Sequence, residues 1–325
     1  MILSKENPGN IALKQRDYRS CGMRPSVSAV IIHHNNRDLL KKCLASLKRQ
    51  THAPSEILLV DNGSTDGSAL SVSAEFPEAR LLRNDCNLAF SRACNKAIGM
   101  AAGEFILLLN NDVVLDEGYI GSLLECMSAD GGVGIAGGKI LSADRRRIDS
   151  AGQSLARSRK VIDRGYGQPD NRQYDKPMHV FGIGASAACY RRSMLDEITD
   201  EGKYFDEGFE FFYEDMDLSC RAQRKGWKAY YQPKATAAHV RGATSKTHEP
   251  RFSFLKKYYI AHLSTRLQRC AIKSRYLLIS KHDSAGDIAR NLPFLLWYEI
   301  RQAAYILLFN PAIIFTKKAK AGADH

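Results

Sequence analysis

Apolar residues follow two alternating rhythms over the first 115 positions of this 325-residue chain. Val27–Ile32 is a short, mostly β-branched run, closed by His33, His34, Asn35 and Asn36. A run of that length reads as a strand buried on both faces. From Arg37 to Gln50, residues Leu39, Leu40, Cys43, Leu44 and Leu47 recur at helical spacing, which predicts an amphipathic helix. The pair then repeats. Glu56–Val60 reads as a strand and Ala69–Glu75 as a helix ended near Pro77. Ala79–Leu82 is a third strand, and Phe90–Ala102 is a helix rich in small residues. Phe105–Leu109 is a fourth strand that runs straight into Asn110, Asn111 and Asp112. Strand–helix alternation of this kind predicts an α/β fold with a mostly parallel sheet flanked by helices.

The rhythm changes after residue 133. Val133–Leu141 is a Gly-rich strand, whereas residues 142–177 are polar, and a stretch of that length predicts a mobile flap. Val180–Tyr190 is strand-like again, Tyr213–Gly226 is a helix stopped by Gly226, and Lys228–Tyr231 is a strand. A polar loop is expected over His239–Lys246. Phe252–Ile279 is basic and amphipathic, and Leu292–Phe315 is apolar and aromatic. The expected division is a flexible leader at 1–25, a main domain at 26–248 with halves meeting at 130/131, and a basic amphipathic helical extension at 249–325.

Composition narrows the class. With 44% hydrophobic and 25% charged residues, the chain is not disordered, collagen-like or a coiled coil as a whole. The net charge of +12 is uneven: residues 251–325 carry 13 Lys/Arg against 4 Asp/Glu, and the rest is nearly balanced. A basic tail calls for an anionic partner. Eight cysteines without a C-x-x-C pair read as reduced thiols rather than a disulfide framework or zinc site. The polar first 25 residues show no signal-peptide pattern, and the charge-free run Gln302–Phe315 is too short for a usual spanning helix.

Candidate chemistry gathers where an open α/β sheet binds ligands, beyond the carboxyl ends of its strands. Three polar clusters fall there: His33-His34-Asn35-Asn36, then Asp61-Asn62-Gly63-Ser64-Thr65-Asp66, then Asn110-Asn111-Asp112. Asp112 could hold a hard cation that offsets a diphosphate, or could cap the helix expected over Asp116–Met127. A fourth cluster, Glu214, Asp215 and Asp217, opens a helix whose dipole would keep Asp215 ionised and able to take a proton from an attacking hydroxyl. His239 precedes Arg241-Gly242-Ala243-Thr244-Ser245, a set of backbone donors, hydroxyls and positive charge suited to phosphate.

In this order and spacing the clusters resemble family 2 glycosyltransferases of the GT-A fold, in particular bacterial rhamnosyltransferase-like members. The motifs that carry the likeness are VDNGSTDGS at 60–68, NLAFSRACNKAI at 87–98, AAGEFILLLNNDV at 101–113 and FDEGFEFFYEDMDLSCRAQRKGW at 205–227, then P-x-A at 233–235 and His239. The resemblance implies inverting transfer of a sugar, such as rhamnose from dTDP-rhamnose, from a dTDP- or UDP-linked donor. The receiving group would be a hydroxyl of a glycan or lipid-linked acceptor in cell-surface polysaccharide assembly. It makes Asp215 the catalytic base with Glu214 as its acidic neighbour. It assigns Asp61 and Asn62, with the loop His33, His34 and Asn35, to the nucleotide, and puts Asn110, Asn111, Asp112 and Thr244 around the donor. Asp112 and His239 would hold Mg²⁺ or Mn²⁺. Asn110 stands where the family's D-x-D begins with Asp, so a neutral amide replaces one anionic ligand. Asn62 replaces the usual second Asp of the nucleotide turn, and His34-Asn35-Asn36 replaces the usual Thr-Tyr-Asn.

With the basic tail, the resemblance also implies a bacterial cytoplasmic protein peripheral to the inner face of the membrane, with no nucleic-acid partner and with a homodimer left open. Two other readings compete. A nucleotidyltransferase acting on sugar phosphates would normally carry a Gly-rich basic loop after the first strand, where this chain has HHNNRD. A basic nucleic-acid-binding protein would place its charge on a folded face, whereas here the charge lies in an amphipathic tail that suits an anionic membrane better.

Overall fold

The computed structural model describes residues 24–241 and 263–315. They fall into two compact units, the first holding residues 24–154, 162–207 and 215–241, the second holding 155–161, 208–214 and 263–315.

The first half of unit one follows the predicted alternation: β1 (Val27–His33), α1 (Arg37–Lys48), β2 (Glu56–Asn62), α2 (Ser68–Glu75), β3 (Ala79–Asn84), α3 (Phe90–Met100) and β4 (Phe105–Asn110). These strands lie in the order β4-β1-β2-β3, all parallel. Every residue of β1 is buried, because the sheet is covered on both faces. Val27, Ala29 and Ile31 pack with Leu40, Leu44 and Leu47 of α1 on one face. Val30 and Ile32 pack with Ala93, Ala97 and Ile98 of α3 on the other. The strand's period of two thus divides one apolar run between two cores.

The second half continues with β5 (Val113–Leu115), α4 (Tyr119–Ala129), β6 (Val133–Ser142), β7 (Ile148–Ser150), β8 (Gln153–Leu155), β9 (Val161–Asp163), β10 (Met178–Val180), β11 (Ala187–Arg191), α5 (Arg192–Ile198), α6 (Glu214–Arg224) and β12 (Lys228–His239). β11 adds antiparallel to β4, and β6, β12 and β10 extend the sheet beyond it. β8 and β9 form a separate two-stranded sheet. Gly226 has φ +81°, the left-handed backbone that turns the chain from α6 into β12. Trp227 packs in the core of that face and donates Nε1–H to Glu197, 2.8 Å away.

Three expectations change. The helix after Asp112 starts at Tyr119 and is capped at Gly118, so Asp112 is not its cap but lies between β4 and β5. β12 runs on through a bulge at Gln232–Thr236, so His239 ends a strand rather than opening a loop. Residues 142–177 are tied into the fold instead of forming a loose flap. β7 pairs with β6, Gln153 and Gly182 exchange backbone hydrogen bonds, and Asp149, Ser150 and Gln153 are buried. Strands three residues long are too short to leave a readable alternation. Residues 1–23, covering most of the expected leader, lie outside the described residues, as do 242–262 with Thr244.

Unit two contains α7 (Thr265–His282), α8 (Ala285–Phe309) and α9 (Ala312–Phe315). Ser284 and Asp287 form a reciprocal capping box that starts α8. Arg275 is 1% exposed; its Nε and Nη2 donate to the Ser158 carbonyl at 3.0 and 2.7 Å, and Nη1 meets Glu299 at 2.5 Å. No described helix is long and apolar enough to cross a membrane.

Candidate active site

Strand register assembles the first cluster. His33 pairs with Asp61, and Ile32 with Asn110, so the ends of β1, β2 and β4 share one edge. His33 is fully buried. Its Nε2 lies 2.7 Å from Ser68 Oγ, and its Nδ1 lies 2.9 Å from Asn111 Nδ2. Burial drives its pKa down to about 4, against the pull of Asp61 and Asp66, so the ring is neutral at pH 7. Asn111 Nδ2 can only donate, which puts the ring proton on Nε2 facing Ser68. Half-buried His34 leads into Asn35 and Asn36, both left-handed at φ 56° and 72°, a conformation Asn tolerates. Asn35 Oδ1 accepts from Thr65 N–H at 3.0 Å, joining this loop to the turn after β2.

Asp61 is 3% exposed and accepts from Ser64 N–H at 2.9 Å, with Arg83 Nε 3.6 Å from its other oxygen. Asn62 spends its amide internally. Oδ1 accepts from Asn84 Nδ2 at 3.1 Å and Leu88 N–H at 3.0 Å, while Nδ2 donates to Asn87 Oδ1 at 3.0 Å. Asn62 therefore shapes the 84–89 loop. Asn111 likewise donates to His33 and to the Asn35 carbonyl, at 3.1 Å, tying β4 to the first loop. Asn110 is half-buried at the end of β4.

The second cluster comes from pairings remote in sequence. β12 runs antiparallel to β5 with His239 opposite Val113, and Val240 N–H donates to the Asp112 carbonyl at 3.1 Å. This register sets His239 Nε2 3.2 Å from Asp112 Oδ1. On the other side, His239 Nδ1 lies 2.9 Å from Asp149 Oδ2. Burial opposes charge on this ring, but the two carboxylates prevail and raise its pKa to about 9. Arg241 continues the chain, with Nε 2.5 Å from Asp149 Oδ1 and Nη2 donating to Asp163 Oδ2 at 2.7 Å. Its guanidinium lies 4.7 Å from the centre of the Tyr166 ring. Asp163 Oδ1 is 3.4 Å from Gln153 Nε2, which donates to Asp215 Oδ2 at 3.0 Å. A continuous line of polar contacts thus joins Asp112 to Asp215.

Asp215 sits in the first turn of α6 beside half-buried Glu214. Its Oδ1 accepts from Met216 N–H at 2.7 Å, and Ala185 N–H lies 3.4 Å from Oδ2. Burial is the largest influence on this carboxyl and, helped by the negative charge of Asp163, pushes its pKa up to about 6 despite the hydrogen bond from Gln153. Burial here outweighs the dipole expected to hold it low. The carboxyl is ionised at neutral pH and poised near it, the condition in which a general base works best. Asp217 serves the helix itself: fully buried, it accepts from Arg221 Nε at 2.9 Å, one turn along α6.

Sequence reasoning missed Asp149, Gln153 and Asp163. They lie in the stretch read as a flap, and only the brief Ile148-Asp149-Ser150 alternation signalled a strand there.

A profile of "Glycosyl transferase family 2" matches residues 28–199. The chain belongs to that family. It is 31% identical over 224 residues to the N-acetylglucosaminyl-diphospho-decaprenol L-rhamnosyltransferase of Mycobacterium tuberculosis (strain CDC 1551 / Oshkosh), covering 62% of this chain and 71% of that one. Among solved structures it resembles the mannosyltransferase PcManGT from Pyrobaculum calidifontis in complex with GDP-Man and Mn²⁺. That likeness has a TM-score of 0.54 at 16% identity and covers 90% of this chain and 72% of that one. It also resembles GalNAc-T7 with UDP, GalNAc and Mn²⁺, at TM-score 0.55 and 16% identity, over 66% of this chain but only 44% of that longer protein. At such identity the structural likeness bears on the fold, which is GT-A.

Proposed function

We propose that this family 2 glycosyltransferase moves a sugar, with inversion, from a nucleotide sugar to a hydroxyl of a lipid-linked glycan. The observation that carries the reading is the polar line from Asp112 to Asp215, which ties a diphosphate-side carboxylate to a base with pKa about 6 within one site. In this reading Asp215 takes the acceptor proton as the hydroxyl attacks the anomeric carbon, and the nucleoside diphosphate leaves from the opposite face. The loops carrying His34, Asn35, Asp61 and Asn110 take the nucleotide, with His33, Asn62 and Asn111 holding them in place.

Asp112 and His239 fit a divalent cation. Both are buried, a carboxylate oxygen and an imidazole nitrogen converge, and Asp149 occupies the other ring nitrogen, as outer carboxylates do for metal-bound histidines. With the ring's pKa raised to about 9, the Nε2 proton that faces Asp112 would have to be displaced by the cation. Bound there, Mg²⁺ or Mn²⁺ would offset charge on the departing diphosphate. The neutral Asn110 makes that site weaker than a full D-x-D.

The relative's name supports an L-rhamnosyl group as the sugar moved and a polyprenyl-diphosphate-linked acceptor. An anionic membrane surface fits the second unit. Ile288, Leu292, Leu296, Ile300 and Leu307 are exposed along α8, and residues 251–325 carry the chain's excess positive charge. The test is a panel of dTDP-, UDP- and GDP-sugars assayed with N-acetylglucosaminyl-diphospho-polyprenol, the product anomer read by NMR. An inverted rhamnoside is expected. Nucleotidyl transfer or a retained anomer would refute the reading.

A further inference from the structure

The side chain that meets Asp215 from across the site is Gln153, and sugar transfer as proposed gives it no part. Gln153 is 6% exposed and is pinned through its backbone to Gly182, with N–H···O distances of 2.8 and 3.3 Å. That approach needs glycine at 182, since a Cβ there would stand 2.7 Å from Ser219 Oγ, one helical turn beyond Asp215. A Cβ at Gly184 would stand 3.2 Å from Gln153 Nε2. The amide is thus brought against the carboxylate by a close-packed corner. Its Nε2 serves two carboxylates, Asp215 at 3.0 Å and Asp163 at 3.4 Å. Its Oε1 is buried and accepts no hydrogen bond among the described residues. A buried carbonyl left so is costly. The reverse orientation would point Oε1 at two carboxylates, tolerable only when Asp215 carries a proton. The amide therefore stands in the one orientation that favours ionised Asp215.

We propose that Gln153, backed by Asp163, is a positioning residue that holds the Asp215 carboxylate through Oδ2 and leaves a lone pair of Oδ1 for the acceptor hydroxyl. This rests on the reading of Asp215 as the base. The charged groups around Asp215 are Asp163 on β9, itself paired with Arg241, and the flanking Glu214 and Asp217 on α6, the latter paired with Arg221. Gln153 is thus a neutral donor against a surplus of negative charge.

The test reads Asp215's proton without needing the substrate. Thermal stability of the full chain is measured from pH 4 to 9 for wild type and Asp215→Asn, and again for both in a Gln153→Met background. The difference within each pair isolates the titration of Asp215. In wild type its midpoint should lie near 6, and in Gln153→Met it should move up by about one pH unit, because a donor to the ionised form is lost. A merely structural Gln153 would lower stability equally at every pH. An unmoved midpoint, or no titration in the wild-type pair, overturns the proposal. Turnover of the donor identified in the sugar panel adds a second readout: Gln153→Met should lower kcat about tenfold near pH 7 with donor KM little changed. If Asp215→Asn keeps full transfer while the midpoint still moves, the base assignment fails and the positioning of the carboxylate stands.

Discussion

At the scale of single residues, Asp215 makes the sharpest prediction. Asp215→Asn keeps size but removes basicity and turns one of the two accepting oxygens into a donor, so transfer should fall at least about 10²-fold with donor affinity little changed. In wild type, kcat/KM should decline as pH drops through about 6, where the base takes up its proton. Stability runs the other way. The folded pKa is raised, so the native state binds this proton more tightly than the unfolded chain, and stability falls as pH rises from about 4 through 6. At pH 8 Asp215→Asn should therefore be more stable than wild type by on the order of 1–2 kcal/mol, seen as a higher Tm. A less stable Asp215→Asn would show that the charge is well solvated in the fold. Asp112 supplies the second test. Asp112→Ala should abolish the Mn²⁺-dependent part of the thermal shift given by a nucleoside diphosphate. Undiminished shifts, or activity untouched by EDTA, would assign Asp112 another role.

At the scale of elements, the site depends on how β6 and β11 are held together. Tyr119 on α4 is fully buried; its hydroxyl donates to the Ala187 carbonyl on β11 at 2.6 Å and accepts from Gly138 N–H on β6 at 3.2 Å. Tyr119→Phe removes both partners at once and strands a buried N–H and C=O, which should cost about 1–3 kcal/mol by urea denaturation. A change below about 0.5 kcal/mol would mean that water or local adjustment satisfies these groups. The parallel strands and their helices were readable because each spans several turns or alternations. β7, β8 and β9 have three residues each and were not, although they carry Asp149, Gln153 and Asp163.

At the scale of the whole molecule, the membrane reading can be checked directly. On α8, Trp297 is 62% exposed and Leu308 71% exposed, both well suited to a lipid headgroup boundary. Each basic residue near an anionic leaflet adds roughly 1 kcal/mol. The full chain should sediment with anionic vesicles at low salt, less at high salt, and weakly with neutral vesicles. Leu296→Glu with Ile300→Glu should weaken binding more than tenfold without changing the melting curve. If both proteins ignore anionic vesicles, the apolar face of α8 serves another partner.

Two kinds of information made this protein legible to different depths. The sequence by itself determined the α/β alternation, the edge on which His33, Asp61 and Asn110 meet, and Asp215 at a helix start, because periodicity and strand-end polarity are local properties. Only the tertiary structure showed which polar groups are bonded within the fold. Asn62 is consumed by the 84–89 loop, Asp217 by Arg221, and His33 is a buried neutral ring. It also decided the line from Asp112 through His239, Asp149, Arg241, Asp163 and Gln153 to Asp215, whose members come from six separate stretches of chain. Strand register and burial set those contacts and the proton affinities that follow, and neither is a property of any one segment.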